Sequence, residues 1–155
     1  MAQEIERKFL VVGDSWRAAV ESETPMIQGY LANNQTTTVR VRVAGNQAFL
    51  TIKGMMRGAS RSEYEYAIPP ADARAMLAEL AVSPPIDKVR YQVRCGEHLW
   101  DLDVFGGENA GLVMAEIELS REDEDFRVPD WVGREVTGDL RYYNVNLARH
   151  PYRRW

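Results

Sequence analysis

The sequence has a single cysteine, Cys95, among its 155 residues. That excludes an intrachain disulfide and a cysteine-built zinc site. No apolar run approaches the roughly 20 residues that a membrane-spanning helix needs. The stretch Met1 to Phe9 holds Glu4, Glu6, Arg7 and Lys8, a charge density that speaks against a secretory leader. A basic surplus is missing as well. Lys and Arg number 19 against 23 Asp and Glu, a net charge of −4, whereas chains that coat nucleic acid carry an excess of cations. Together these absences predict a cytoplasmic protein that binds neither nucleic acid nor membrane. What is present is ordinary globular composition: 45% hydrophobic and 27% charged residues, enough apolar matter for a core and too much for disorder. The length predicts one domain over residues 1–155.

Turn residues are spread along the chain at Gly13-Asp14, Asn33-Asn34, Gly45-Asn46, Gly54 to Gly58, Pro84-Pro85, Gly96-Glu97 and Gly106-Gly107. Short segments of alternating polarity lie between them. They predict strands over 2–12, 26–32, 36–44, 47–54, 60–68, 87–95, 98–105 and 111–120. The short gaps predict antiparallel hairpins. Helices are predicted after Asp14 over Ser15 to Val20, from Pro70 with Ala73, Met76, Leu77 and Leu80 on one face, and from Asp139 with Leu140, Tyr143 and Leu147 aligned. The fold class is mainly β (α+β): an eight-stranded antiparallel β-barrel forming a tunnel, with a few helices packed outside.

Alternate residues of a strand share a face. On that rule Lys8, Arg40, Arg42, Lys53, Arg61, Lys88, Arg90 and Arg94 fall on the same faces as Glu4, Glu6, Glu63, Glu65, Asp101, Asp103, Glu116 and Glu118. Any half-exposed sheet puts charge on its wet face. Here, however, seven strands in succession carry the charges as pairs or triplets, many of one sign. Like charges on one face repel unless something sits between them. If the sheet closes with this face inward, the lumen must be wet and must hold ligands, because so many charges cannot be buried dry. Arg-x-Arg offers two bidentate forks to a phosphate-like polyanion. The carboxylate clusters suit a hard divalent cation, Mg²⁺ or Mn²⁺. A polyphosphate chain with its metal satisfies both sets.

Glu4-Ile5-Glu6-Arg7-Lys8 resembles the Glu-x-Glu-x-Lys signature of the CYTH superfamily, the triphosphate tunnel metalloenzymes. Arg40-x-Arg42, Thr51-x-Lys53, Glu63-x-Glu65, Lys88-x-Arg90, Asp101-x-Asp103 and Glu116-x-Glu118 follow in that family's order. Gln28-Gly29-Tyr30-Leu31 resembles a segment of its compact bacterial members, many of them similar to inorganic tripolyphosphatases. The resemblance implies that Lys8, Arg40, Arg42, Lys53, Lys88 and Arg90 hold phosphate oxygens, joined by Arg61 from the same face. It implies that Glu4, Glu6, Glu116 and Glu118 gather the metal, with Asp101 and Asp103 nearby, and that Glu63 and Thr51 support the site. Glu65, Glu118, Lys88 and Tyr30 are the catalytic candidates, the two glutamates as acceptors of the water's proton. The implied reaction is hydrolysis of a triphosphate, inorganic tripolyphosphate first. Rivals of the same tunnel type are a class IV adenylyl cyclase, a nucleoside triphosphatase and a thiamine triphosphatase. A polyphosphate-binding module without turnover is a fourth. The apolar stripe and the tail Tyr152 to Trp155 leave room for a homodimer.

Overall fold

A computed structural model describes residues 3–155; residue 2, where the first strand was expected to open, lies outside them. Nine strands form: β1 (Gln3–Val11), β2 (Val20–Asn33), β3 (Thr37–Ala44), β4 (Gln47–Gly54), β5 (Ser60–Ile68), β6 (Ile86–Cys95), β7 (His98–Phe105), β8 (Val113–Glu118) and β9 (Val132–Glu135). The helices are α1 (Pro70–Glu79) and the short α2 (Asn144–Leu147). All pairings are antiparallel, in the order β5-β4-β3-β2-β6-β7-β8-β1-β9, and a β1–β5 pairing closes the first eight into a barrel. None of the described helices is long and apolar enough to cross a membrane.

The closing seam is short. β1 meets β5 only through Gln3↔Ser62, Glu4↔Arg61 and Ile5↔Ser60, then runs beside β8 over Glu6 to Leu10. β9, which the sequence reading did not include, joins β1 at Phe9 and Val11. Its four residues carry no alternating pattern long enough to announce a strand.

The second strand starts six residues before its predicted position and runs through Pro25. β3 ends at Ala44, opposite Met26, so Pro25 lies past that neighbour and its missing N–H breaks no ladder there. The segment after Asp14 is a 3-10 turn, Ser15–Ala19, without a side-chain cap. The helix expected from Asp139 is broken by Tyr143, whose extended backbone (φ −72°, ψ 135°) separates a 3-10 turn at Leu140–Tyr142 from α2.

Outside the barrel, Trp16, Phe126, Trp131 and Leu119 cover the apolar faces of β1, β6, β7 and β8 around Trp100. α1 covers β3 and β4 with Ala73 against Val41, Val43 and Ala48. The charged faces are thereby left to the interior, as the sequence predicts.

The interior has two levels. Along β1 the inward residues run from Glu4, Glu6 and Lys8 to Leu10. On β8 they run from Glu118 and Glu116 to Met114, which lies opposite Leu10 and Asp103. On β7 Asp101 and Asp103 give way to Phe105, and on β6 Arg90 and Lys88 give way to Ile86. The apolar ends gather with Tyr30, Leu112, Val136, Tyr142, Leu147 and Ala148 into one buried cluster. The C-terminal segment fills one end as an apolar floor, and the charged level stands above it.

Candidate active site

Above that floor lies a cavity of about 180 Å³ lined by side chains from all eight barrel strands and from the C-terminal turn. Lys8, Tyr30, Arg40, Arg42, Lys53, Arg61, Lys88 and Arg90 reach it, as do Glu4, Glu6, Glu63, Glu65, Asp101, Glu116 and Glu118. Arg94 does not; it stands on the exterior, paired with Glu21 at 2.9 Å. Thr51 is fully buried behind the wall, between Arg40 (3.3 Å) and Glu65 (3.0 Å). Asp103 also stays out of the cavity lining. Arg90 binds both of its oxygens, at 2.8 and 2.9 Å, and Lys88 adds a contact at 2.8 Å. In this structure it is the counter-ion of two cations.

Most of the charges answer one another. Lys8 Nζ lies 3.1 Å from Glu6 and 2.9 Å from Glu116. Lys53 lies 2.9 Å from Glu4 and 3.3 Å from Glu63. Arg61 also reaches Glu4, at 3.3 Å. Such pairing is what permits the burial of Glu4, Lys8, Lys53, Lys88 and Asp103. Two groups remain unanswered. Arg42 is buried, and its Nε donates to the Gln28 side-chain oxygen at 2.8 Å, yet among the described residues no carboxylate pairs with its guanidinium. Arg40 beside it has only a distant partner, Glu65 at 3.7 Å, and its buried Nε has no acceptor. At the other pole the exposed side chain of Glu118 has no hydrogen bond or ion pair among the described residues.

The electrostatics follow this division. Burial, then the neighbours Arg40 and Arg90, pull the Arg42 guanidinium below its ordinary range. Burial and Arg40 do the same to Lys53. Lys88 is pulled down to about 7, by burial foremost and by Arg90 and Arg42, against the pull of Asp103. The acids at the opposite pole are pushed the other way. Glu118 is raised by burial, then by Glu4, Glu6 and Asp101, and Glu6 by burial and Glu116. Asp101 is raised by burial despite Arg90. Glu116 resists its burial and stays well below the usual range, because Lys8, Arg90 and Lys88 face it. The lumen thus has a cation-rich side short of negative charge and an acidic side short of positive charge.

Four lining residues carried no signal in the charge pattern: Thr38, Tyr143, Asn144 and Val145. The Tyr143 ring lies under Lys8 (5.2 Å) and Arg61 (5.9 Å). Asn144 Oδ1 accepts from Lys88 at 2.9 Å and from Gln28 at 3.0 Å.

Known proteins resemble the whole chain. The CYTH domain family model matches residues 2–152. An inorganic triphosphatase of Acetivibrio thermocellus is 46% identical over 153 residues, 99% of this chain and 97% of that protein. An inorganic triphosphatase of Nitrosomonas europaea is 37% identical over 149 residues, 94% and 96% of the two chains. The crystal structure of an inorganic triphosphatase superposes with a TM-score of 0.67 at 35% identity, over 96% of this chain and 95% of that one. A protein from Pyrococcus horikoshii, 16% identical over 77% of this chain and 80% of its own, has a TM-score of 0.60 and shares the fold alone.

Proposed function

This chain belongs to the CYTH domain family, and from that premise we propose that it is a divalent-metal-dependent hydrolase that splits inorganic tripolyphosphate into pyrophosphate and phosphate. The observation that carries the reading is the pair of unanswered poles in one cavity: Arg42, with Arg40 beside it, on one side and Glu118 among Glu4, Glu6 and Asp101 on the other. A polyanion supplies what the first lacks, and a hard cation supplies what the second lacks. The triphosphatase names of two full-length relatives support the same substrate class.

The acidic pole suits Mg²⁺ or Mn²⁺ in chemistry, since its donors are carboxylate oxygens that repel one another. Among the described residues no three of them stand together as a ready cage. Glu6, Asp101 and Glu118 would hold the ion, with Glu4 and Glu116 at their flanks. When bound, the metal would offset charge on the triphosphate and polarise water.

The protein's own groups account for the rest. Arg42 and Arg40 present guanidinium N–H groups to the phosphate oxygens, and Lys88 and Arg90, held by Asp103, face the same side. Water attacks a terminal phosphorus in line. A new P–O bond forms as the bridging P–O bond breaks, and pyrophosphate leaves. Glu118, whose raised affinity for protons comes from burial and its acidic neighbours, accepts the water's proton. Glu65 suits that task less, because it accepts from Thr51 and faces Arg40. Tyr30 accepts from Gln28 at 3.3 Å, which leaves its own O–H to donate toward substrate. The short chain leaves little room for a dedicated nucleobase pocket, which favours a substrate without an organic part.

The test is phosphate release from tripolyphosphate, ATP and thiamine triphosphate, each with Mg²⁺, Mn²⁺, Ca²⁺ or chelator. Release from tripolyphosphate alone, dependent on Mg²⁺ or Mn²⁺, is expected. Equal release from ATP would overturn the substrate preference, cyclic AMP would overturn hydrolysis, and activity in chelator would overturn the metal.

A further inference from the structure

The C-terminal turn does more than close the barrel. Two cations that approach the lumen from different strands, Arg42 on β3 and Lys88 on β6, are joined by a chain of amides. Arg42 Nε donates to Gln28 Oε1 at 2.8 Å. Gln28 Nε2 donates to Asn144 Oδ1 at 3.0 Å, and Lys88 Nζ donates to the same oxygen at 2.9 Å. The polarity of this chain is forced. Arg and Lys can only donate, so Gln28 must turn its oxygen to Arg42 and Asn144 must turn its oxygen to Lys88. Gln28 is fully buried and fully used, for its amide nitrogen reaches Tyr30 Oη as well. Asn144 is not fully used. With Oδ1 committed twice, its Nδ2 is pinned in orientation, and among the described residues it has no acceptor, although Asn144 lines the cavity.

Amides here solve a problem that carboxylates cannot. An acid at 144 would accept from Lys88 just as well, but it would cancel the positive charge that an anion needs. A neutral acceptor holds the lysine without adding to the negative charge that Asp103 already sets against it. The opposite end of the same side chain then offers two N–H donors to whatever occupies the lumen.

We infer that Asn144 is a further substrate-binding residue: it fixes Lys88 and, through Gln28, Arg42, and its own Nδ2 donates to an oxygen of the phosphoryl group that these two cations hold. The inference rests on the triphosphate reading of the site and adds a donor from outside the barrel strands.

The experiment measures binding of tripolyphosphate without metal by calorimetry, and steady-state turnover with Mg²⁺, for the parent, N144D and N144A. N144D retains an oxygen for Lys88 and Gln28, so its melting temperature without ligand should not fall, yet it loses the donor. Its affinity and its KM should worsen roughly ten- to hundredfold, the value of one hydrogen bond to a charged group. N144A removes the donor and the anchoring oxygen without adding charge and should lose at least about tenfold in affinity, which separates these losses from repulsion. Parental affinity in either variant would overturn the inference. So would a loss confined to kcat, since a donor to the bound phosphoryl group must show in binding. A parent that binds tripolyphosphate but fails to hydrolyse it would sink the proposed activity, and the binding comparison would still decide the role of Asn144.

Discussion

The two levels of the lumen are made by the same strands, two residues apart, and they are held together by opposite means. At the floor, Leu10, Ile86, Phe105 and Met114 meet Leu147 and Tyr142 in an apolar cluster. One step along each strand, the same inward positions carry Lys8, Lys88, Asp103 and Glu116. The floor gains stability from area removed from water. The upper level gains little, because each buried charge gives up hydration and regains it only from a partner. Arg42 does not regain it, and Glu118, exposed at the acidic side, has no partner among the described residues. Stability and function are therefore separated in space within one barrel, and the region that is costly to fold is the one able to bind.

That contrast can be broken experimentally, starting with the largest effect. R42A should lower kcat/KM for tripolyphosphate by roughly a hundredfold or more, since it removes a desolvated fork aimed at developing charge. Its urea midpoint should stay near the parental value. A large loss of stability would mean that Arg42 is structural. L147A should do the reverse. Leu147 is fully buried in the floor, so its truncation should cost about 2–5 kcal/mol in urea unfolding, with KM unchanged. A raised KM with intact stability would show that floor and wall are not independent.

Next comes the ligand itself. Tripolyphosphate at 100 times its Kd should stabilise the parent by about 2.7 kcal/mol. R42A should forfeit nearly all of that gain, and L147A should keep it.

The smallest effect concerns Glu118, whose folded pKa is raised above the ordinary 4.5 by burial and by Glu4, Glu6 and Asp101. A raised carboxyl contributes stability that is fully present below that ordinary value and is lost as pH rises through the folded one. E118Q should therefore melt higher than the parent at pH 8 without metal, and the difference should vanish towards pH 4. Turnover should fall in the same variant. An unchanged or lower melting temperature at pH 8 would show that Glu118 is not crowded by like charge.

Much of this was legible in the sequence, because a strand's period of two is strict. Parity alone sent Glu4, Glu6, Lys8, Arg40, Arg42, Lys53, Lys88 and Arg90 to one enclosed space. The apolar floor was visible on the same parity, in Lys8-x-Leu10, Ile86-x-Lys88, Asp103-x-Phe105 and Met114-x-Glu116, but it was not read. A hydrophobic residue at the end of a charged face looks like the fraying of a pattern, and only closure reveals it as a second level. The ion pairs of Asp103 were hidden for a related reason. Alternation tells which way a carboxylate points and says nothing of who reaches it first, and here Arg90 and Lys88 do. Asn144, Tyr143 and β9 were out of reach. They belong to short irregular pieces whose positions are set by packing on the barrel end rather than by any repeat of their own.

The short seam on β1 has a kinetic corollary. Lys8 finds Glu116 across 108 positions of chain, and the other edge of β1 is shared between β5 and the late strand β9. During synthesis β1 must wait for β8, with its glutamates and lysine in bulk water, until the segment around Glu116 is available. Ring closure is then a single non-local event that carries most of the loop entropy of the molecule. The metal- and anion-binding groups come into register only at that step.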